Sequence, residues 1–184
     1  MRGHVVYESR LELARLLFAD RDPAVSAIYA QPFLLTATMD AVQRRHVPDF
    51  LLVGADGDLL VVDVKPRARL ADAVVAATLA WAGQLIRDEG WEFEVWSEPD
   101  PVVLANVRFL AGYRRPEMFD PLVLAAVQAA TADPVSVGQV EQTFAGDWPV
   151  WRVRPHVLHL LWSGHLAADL GRPLGGTSLV RWAR

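Results

Sequence analysis

Pro48-Asp49, thirteen intervening residues, and then Asp63-Val64-Lys65 form the stretch of this 184-residue chain whose types and spacing suit a reaction. Residues 63 and 65 lie two apart in an apolar, strand-like run, so both side chains leave one face. The runs 50–53 and 59–64 flank the turn Gly54-Ala55-Asp56-Gly57-Asp58, and positions 49 and 63 are symmetric about residue 56. A hairpin centred there sets Asp49 opposite Asp63, with Cβ atoms ~5 Å apart. Carboxylates that close repel unless one keeps its proton or a cation lies between them. A hard divalent ion such as Mg²⁺, with Mn²⁺ as a substitute, is the natural occupant. Lys65, the only lysine among 18 Lys and Arg residues, stands one strand step along. An ammonium there can position an attacking water and offset charge building on a phosphate.

The plain alternative is a surface hairpin carrying an ion pair of small worth. Leu51, Leu52, Leu59, Leu60, Val61, Val62 and Val64 argue against it. Strands this apolar are buried on both faces, where an unpaired carboxylate is costly. A further acidic ligand is expected from the first helix: Glu12, with Glu8 one turn earlier as the alternative. Ser9-Arg10-Leu11-Glu12 also fits a capping box, a role that does not fully exclude the other. Arg44, Arg45, His46, Arg67 and Arg69 flank these residues and are candidates for phosphate contact.

The elements that must position this group follow from periodicity. Residues 8–20 read as a helix with Leu11, Ala14, Leu17 and Phe18 on one face, closed by Asp22-Pro23. Strand-like runs follow at 25–29 and 33–38, then the hairpin over 50–53 and 59–64. Residues 70–89 read as a long helix ended by Gly90, and 92–96 as a strand. This is an α/β order with a mixed sheet. Beyond residue 101 the pattern turns helical, over 102–112, 121–130, 137–144 and 150–163. Two strand-like runs, 166–170 and 178–182, close the chain. Helices followed by a β-hairpin are the layout of a small winged-helix module, with a boundary placed near Asp133-Pro134. Trp148, Trp151, Trp162 and Trp182 are expected in its core.

Composition narrows the classes. Apolar types make up 52% and charged types 22%, so the chain is not a disordered tail. It has no cysteine, which excludes disulfides, thiolate metal sites and a cysteine nucleophile. No apolar run reaches the ~20 residues needed to cross a bilayer. The charged opening around Arg2 and His4 does not read as a signal peptide, so a cytoplasmic location is expected. Net charge is −4, with 4 basic against 9 acidic residues between 71 and 120. Broad phosphate neutralisation is therefore excluded, and any DNA contact must be local or assisted by a partner.

Glu8-Ser9-Arg10-Leu11-Glu12, Gln31-Pro32, Arg45-His46-Val47-Pro48-Asp49-Phe50 and Asp63-Val64-Lys65-Pro66 together resemble the TnsA-type transposase endonuclease subunits, of the PD-(D/E)XK class. The resemblance covers about residues 7–96. It implies a restriction-endonuclease-like core of order α-β-β-β-α-β over 1–132, followed by a winged-helix-like region over 133–184. It implies that Glu12, Asp49 and Asp63 bind Mg²⁺, that Lys65 assists the attacking water, and that His46 and Gln31 line or support the site. It further implies a metal-dependent hydrolase that nicks one strand of double-stranded DNA at each transposon end. A TnsB-like DDE transposase would cut the other strand and a TnsC-like ATPase would regulate. The rival expectations are a stand-alone restriction- or repair-type nuclease and a catalytically silent assembly or DNA-binding subunit on the same fold.

Other signals are set aside. The glycine spacing of 171–178 is that of a phosphate loop, but threonine holds the lysine slot. His156 and His159 lie three apart on a helix with no third ligand in view, and read as packing. Arg152 and Arg154 read equally as phosphate contacts or as a solvated face.

Overall fold

The computed structural model describes residues 5–39 and 41–183. Arg2 and His4, of the charged opening, lie outside them.

Helix α1 (Arg10–Arg21) starts where Ser9 caps it, its hydroxyl accepting from the Glu12 N–H at 3.1 Å. It buries Ala14, Arg15, Leu16 and Ala19, with Leu11 packed at the edge of the core; of the expected face, Leu17 and Phe18 are only half-buried, Phe18 against Trp96. Strand β1 (Val25–Ala30) follows, then β2 (Leu35–Met39) and β3 (Val42–His46), which pair only with each other as a two-stranded hairpin. The 33–38 run is thus part of an arm outside the main sheet. Strands β4 (Phe50–Gly54) and β5 (Leu59–Val64) form the expected hairpin, with Gly57 at φ 94° in its turn.

The 70–89 helix divides in two. A single turn, α2 (Arg67–Leu70), is followed by α3 (Ala73–Asp88), whose first amides bond the Asp72 carboxylate. Strand β6 (Glu92–Trp96) then runs parallel to β5. The main sheet has the order β1-β4-β5-β6, antiparallel except for this last pair.

Alternation along β5 sorts its two faces. Val62 and Val64 join Leu16, Ala19, Ile28, Phe50 and Leu52 in one core beneath α1. Val61, Asp63 and Lys65 leave from the other face, on which α3 lies. A side chain at Gly83 of α3 would collide with the Phe93 ring, so the glycine lets helix and sheet approach closely.

The second part contains α4 (Pro101–Leu110), α5 (Pro121–Ala130), β7 (Val135–Ser136), α6 (Val137–Thr143), α7 (Val150–Trp162), β8 (Leu166–Ala167) and β9 (Leu179–Trp182). The three strands form a sheet in the order β7-β9-β8. The chain divides into compact units Met1–Glu98 and Pro99–Arg184, rather than near residue 133. Packing is the reason, since α4 and α5 lie against α7. Of the four tryptophans expected in this core, only Trp162 is buried; Trp151 is 76% exposed, Trp182 is exposed and Trp148 half-buried. Valines and leucines fill the core instead: Val123, Val127, Val140, Val153, Val157 and Leu161.

Candidate active site

The β4–β5 ladder pairs Phe50 with Val62 and Leu51 with Val61, so the next register step sets Asp49 against Asp63. The symmetry about residue 56 therefore holds in the folded hairpin. Lys65 extends β5 by one residue, its N–H donating to the Trp96 carbonyl at 2.9 Å while its own carbonyl accepts from the Ser97 hydroxyl. The lysine backbone is thereby fixed at the end of the parallel pair.

The side chains converge. Lys65 Nζ lies 3.2 Å from Asp49 Oδ2 and 3.4 Å from Asp63 Oδ1, so one ammonium bridges the two carboxylates. Asp49 Oδ2 also accepts the Val64 N–H at 2.6 Å. Asp63 is fully buried, and its second oxygen, Oδ2, lies 2.7 Å from His46 Nε2. His46 itself is largely buried, its ring set edge-on to Trp81.

Electrostatics follow from this crowding. Burial pushes the Asp49 carboxyl above its usual range and nearby Asp63 adds to that, outweighing the Val64 amide and the Lys65 ammonium. For Lys65, burial pulls downward, but Asp49 and Asp63 together overcome it and hold the ammonium above its ordinary value. The site is a pair of carboxylates sharing one cation.

Other expected members lie elsewhere. The Glu12 carboxylate turns back on its own helix, Oε2 accepting the Glu8 N–H at 2.8 Å, so the cap reading describes its position. Helix α1 covers the Val62/Val64 face, whereas Asp63 and Lys65 leave from the opposite one. Glu8 Oε1 accepts from the Gln31 side chain at 2.9 Å, and the Gln31 N–H donates to the Asp49 carbonyl at 2.9 Å. Gln31 adopts φ 45°, in the left-handed region, so the chain holds a strained residue at the link between α1 and the Asp49 loop. Among the described residues no three His, Asp or Glu side chains converge as a ready metal cage. Two carboxylates already holding a cation nevertheless fit a hard divalent ion, since Mg²⁺ commonly takes one or two carboxylates and completes its shell from water and phosphate.

The basic candidates separate into two groups. Arg67 is occupied by Glu98, through its N–H to Oε2 at 2.9 Å and its guanidinium to the carbonyl at 3.2 Å. Arg69 lies 4.0 Å from Asp72. Arg45 is exposed on β3 with no acceptor among the described residues, and the Arg44 Nε is buried without a partner. His46, grouped with them in the sequence, faces Asp63 instead. Its bond to Asp63 has no signature in local pattern, because it joins the arm to the main sheet across seventeen residues of chain.

In the second unit Arg152 pairs with Asp120 at 2.8 Å and Arg154 with Glu141. His156 donates or accepts at both ring nitrogens, to the Arg152 carbonyl and the Asp120 N–H, and His159 bonds the Tyr113 carbonyl. Both are packing histidines.

A mixed sheet with helices on its two faces is consistent with a restriction-endonuclease-like fold. Residues 22–98 match the family model of the TnsA-like endonuclease N-terminal domain, so this part of the chain is similar to TnsA-like endonucleases. The match takes in Asp49, Asp63 and Lys65 and ends where the first unit ends. It leaves out α1 with Glu8 and Glu12, and all of the second unit. The comparison with curated proteins finds no match to this chain.

Proposed function

We propose that the chain is a metal-dependent DNA endonuclease that hydrolyses one strand at transposon ends, as the TnsA-type member of a heteromeric transposase. The observation that carries this reading is the Lys65 ammonium held between Asp49 and Asp63 inside a TnsA-like domain. Asp49 and Asp63 would hold Mg²⁺, or Mn²⁺ in its place, and the ion when bound supplies charge neutralisation at the phosphate and a more acidic water. The further acidic ligand would be Glu12 of α1 or Glu8, which precedes the helix and is held by Gln31.

The chain's own residues do the rest. Lys65, raised above its ordinary pKa, stays protonated through the physiological range and donates to water or to a phosphate oxygen rather than removing a proton. Arg45 and Arg44, with no carboxylate partner among the described residues, supply phosphate contacts on the arm beside the site. Arg67 and Arg69 contribute less, since their acceptors lie within the chain.

The second unit reads as winged-helix-like, because α5, β7, α6, α7, β8 and β9 follow in that order with the central β9 flanked by β7 and β8. Two features point it away from reading DNA. Helix α7 is buried at every position from His156 to Trp162. The loop after β8 is pinned by Asn106, whose Nδ2 donates to the Leu170 and Arg172 carbonyls at 2.8 and 2.7 Å. A protein partner suits this unit better, and a TnsC-like ATPase together with a TnsB-like DDE transposase is the expected company.

The test is cleavage of a double-stranded transposon-end DNA with Mg²⁺, with and without the transposase partner. Asp49→Ala and Lys65→Ala are each expected to lower cleavage at least ~10²-fold while circular dichroism stays unchanged. Cleavage at the wild-type rate by either variant would overturn the assignment. Full activity on any duplex without a partner would instead favour the stand-alone nuclease.

A further inference from the structure

We propose that His46 is a positioning residue that fixes the rotation of the Asp63 carboxylate and so sets the affinity of the site for a divalent cation. The inference rests on the reading that Asp63 holds that cation.

A carboxylate with no exposure to water must have its lone pairs met by donors. Asp63 has two donors, unequal in quality. Lys65 approaches Oδ1 at 3.4 Å, a long contact, whereas His46 Nε2 meets Oδ2 at 2.7 Å. The imidazole is therefore the contact that holds the group in place. It engages Oδ2 and leaves Oδ1 turned toward Lys65 Nζ, the atom that also touches Asp49 Oδ2. Rotation of the Asp63 carboxylate away from this setting would break its shortest bond.

The imidazole is held in turn. Its ring packs edge-on to Trp81 at 6.2 Å between centroids, and Trp81 lies in the buried face of α3. Its backbone is the last residue of β3, paired with Leu35 of β2. The arm thus has two jobs on one strand: Arg45 points to solvent and His46 turns inward. Only 12% of the His46 side chain is exposed and its Nε2 is engaged, which leaves little of it for a DNA phosphate. Partners one step behind a metal ligand typically change affinity by ~10–100-fold when removed.

Two substitutions separate the hydrogen bond from the packing. His46→Phe keeps a ring against Trp81 and removes the donor; His46→Gln keeps an N–H donor and removes the ring. Mn²⁺ binding to the full chain by calorimetry is expected to weaken ~10–100-fold in His46→Phe and to stay near wild type in His46→Gln. Mn²⁺ affinity in His46→Phe equal to wild type, or loss in His46→Gln as large as in His46→Phe, would overturn the inference. Asp63→Asn is the control that keeps the two readings apart. If wild type and Asp63→Asn bind Mn²⁺ alike, the metal reading itself fails and this one with it. If only Asp63→Asn loses binding, His46 alone is wrongly assigned.

Discussion

Lys65 is a counter-ion to Asp49 and Asp63, and the catalytic role proposed for it pulls against that one. In the folded protein its ammonium neutralises Asp49 and Asp63, which is why burial fails to lower its pKa. A divalent cation between the same carboxylates must compete with that ammonium and be repelled by it. Lys65→Met keeps most of the stem and deletes the charge. Mn²⁺ affinity by calorimetry is therefore expected to rise several-fold while cleavage is lost. Weaker Mn²⁺ binding in Lys65→Met would mean that the lysine builds the site rather than competing for it. Arginine would serve poorly here, since its planar fork cannot act as a compact charge between two carboxylates.

At the scale of elements, the hairpin was legible because its information is local. A glycine-containing turn centred on residue 56, with continuous apolar runs on both sides, fixes the register, and the register places Asp49 against Asp63. The arm was not legible in the same way. Residues 33–38 have strand character, yet nothing local says whether they join the main sheet or pair with 42–46. The expected 70–89 helix is shorter in the structure because the chain breaks at Ala71-Asp72, where the Asp72 carboxylate caps α3. In the second unit the decisive residue is Asn106, an unremarkable asparagine in sequence. Buried in α4, it donates twice to the loop after β8 and accepts the Leu174 N–H at 3.2 Å. Asn106→Ala is expected to cost about 2 kcal/mol, because it strips three bonds and leaves buried backbone groups unpaired. Urea unfolding checks this, and a change under about 0.5 kcal/mol would show that the loop holds without it.

For the whole molecule, division at Glu98 and Pro99 predicts separate responses of the two units. His156 supplies the probe for the second. Burial pushes its pKa below the ordinary value near 6.5, with the Arg152 carbonyl and Asp120 only partly opposing. Its neutral ring accepts the Asp120 N–H at 3.0 Å, a bond that a protonated ring cannot accept. The unfolded chain thus takes up the proton more readily than the folded one. Stability from this site is full above about pH 6.5 and declines as pH falls from there through the lower folded value. Scanning calorimetry is expected to show two transitions. Mn²⁺ should raise one of them, and acidification from pH 7.5 to about pH 5.5 should lower the other, with His156→Gln flattening the acid response. A single transition moved by both would contradict the division. Among the described residues no helix is long and apolar enough to cross a membrane.

By itself the sequence determined the carboxylate pair, its lysine, the register that joins them and the order of the elements around them apart from β3 and α2. Those rest on turn chemistry, apolar runs and residue spacing, which act over a few residues. Only the tertiary structure decided that His46 Nε2 meets Asp63 Oδ2 and that α4 and α5 pack with α7. Each depends on which surfaces meet across tens of residues, and spacing along the chain carries no record of that.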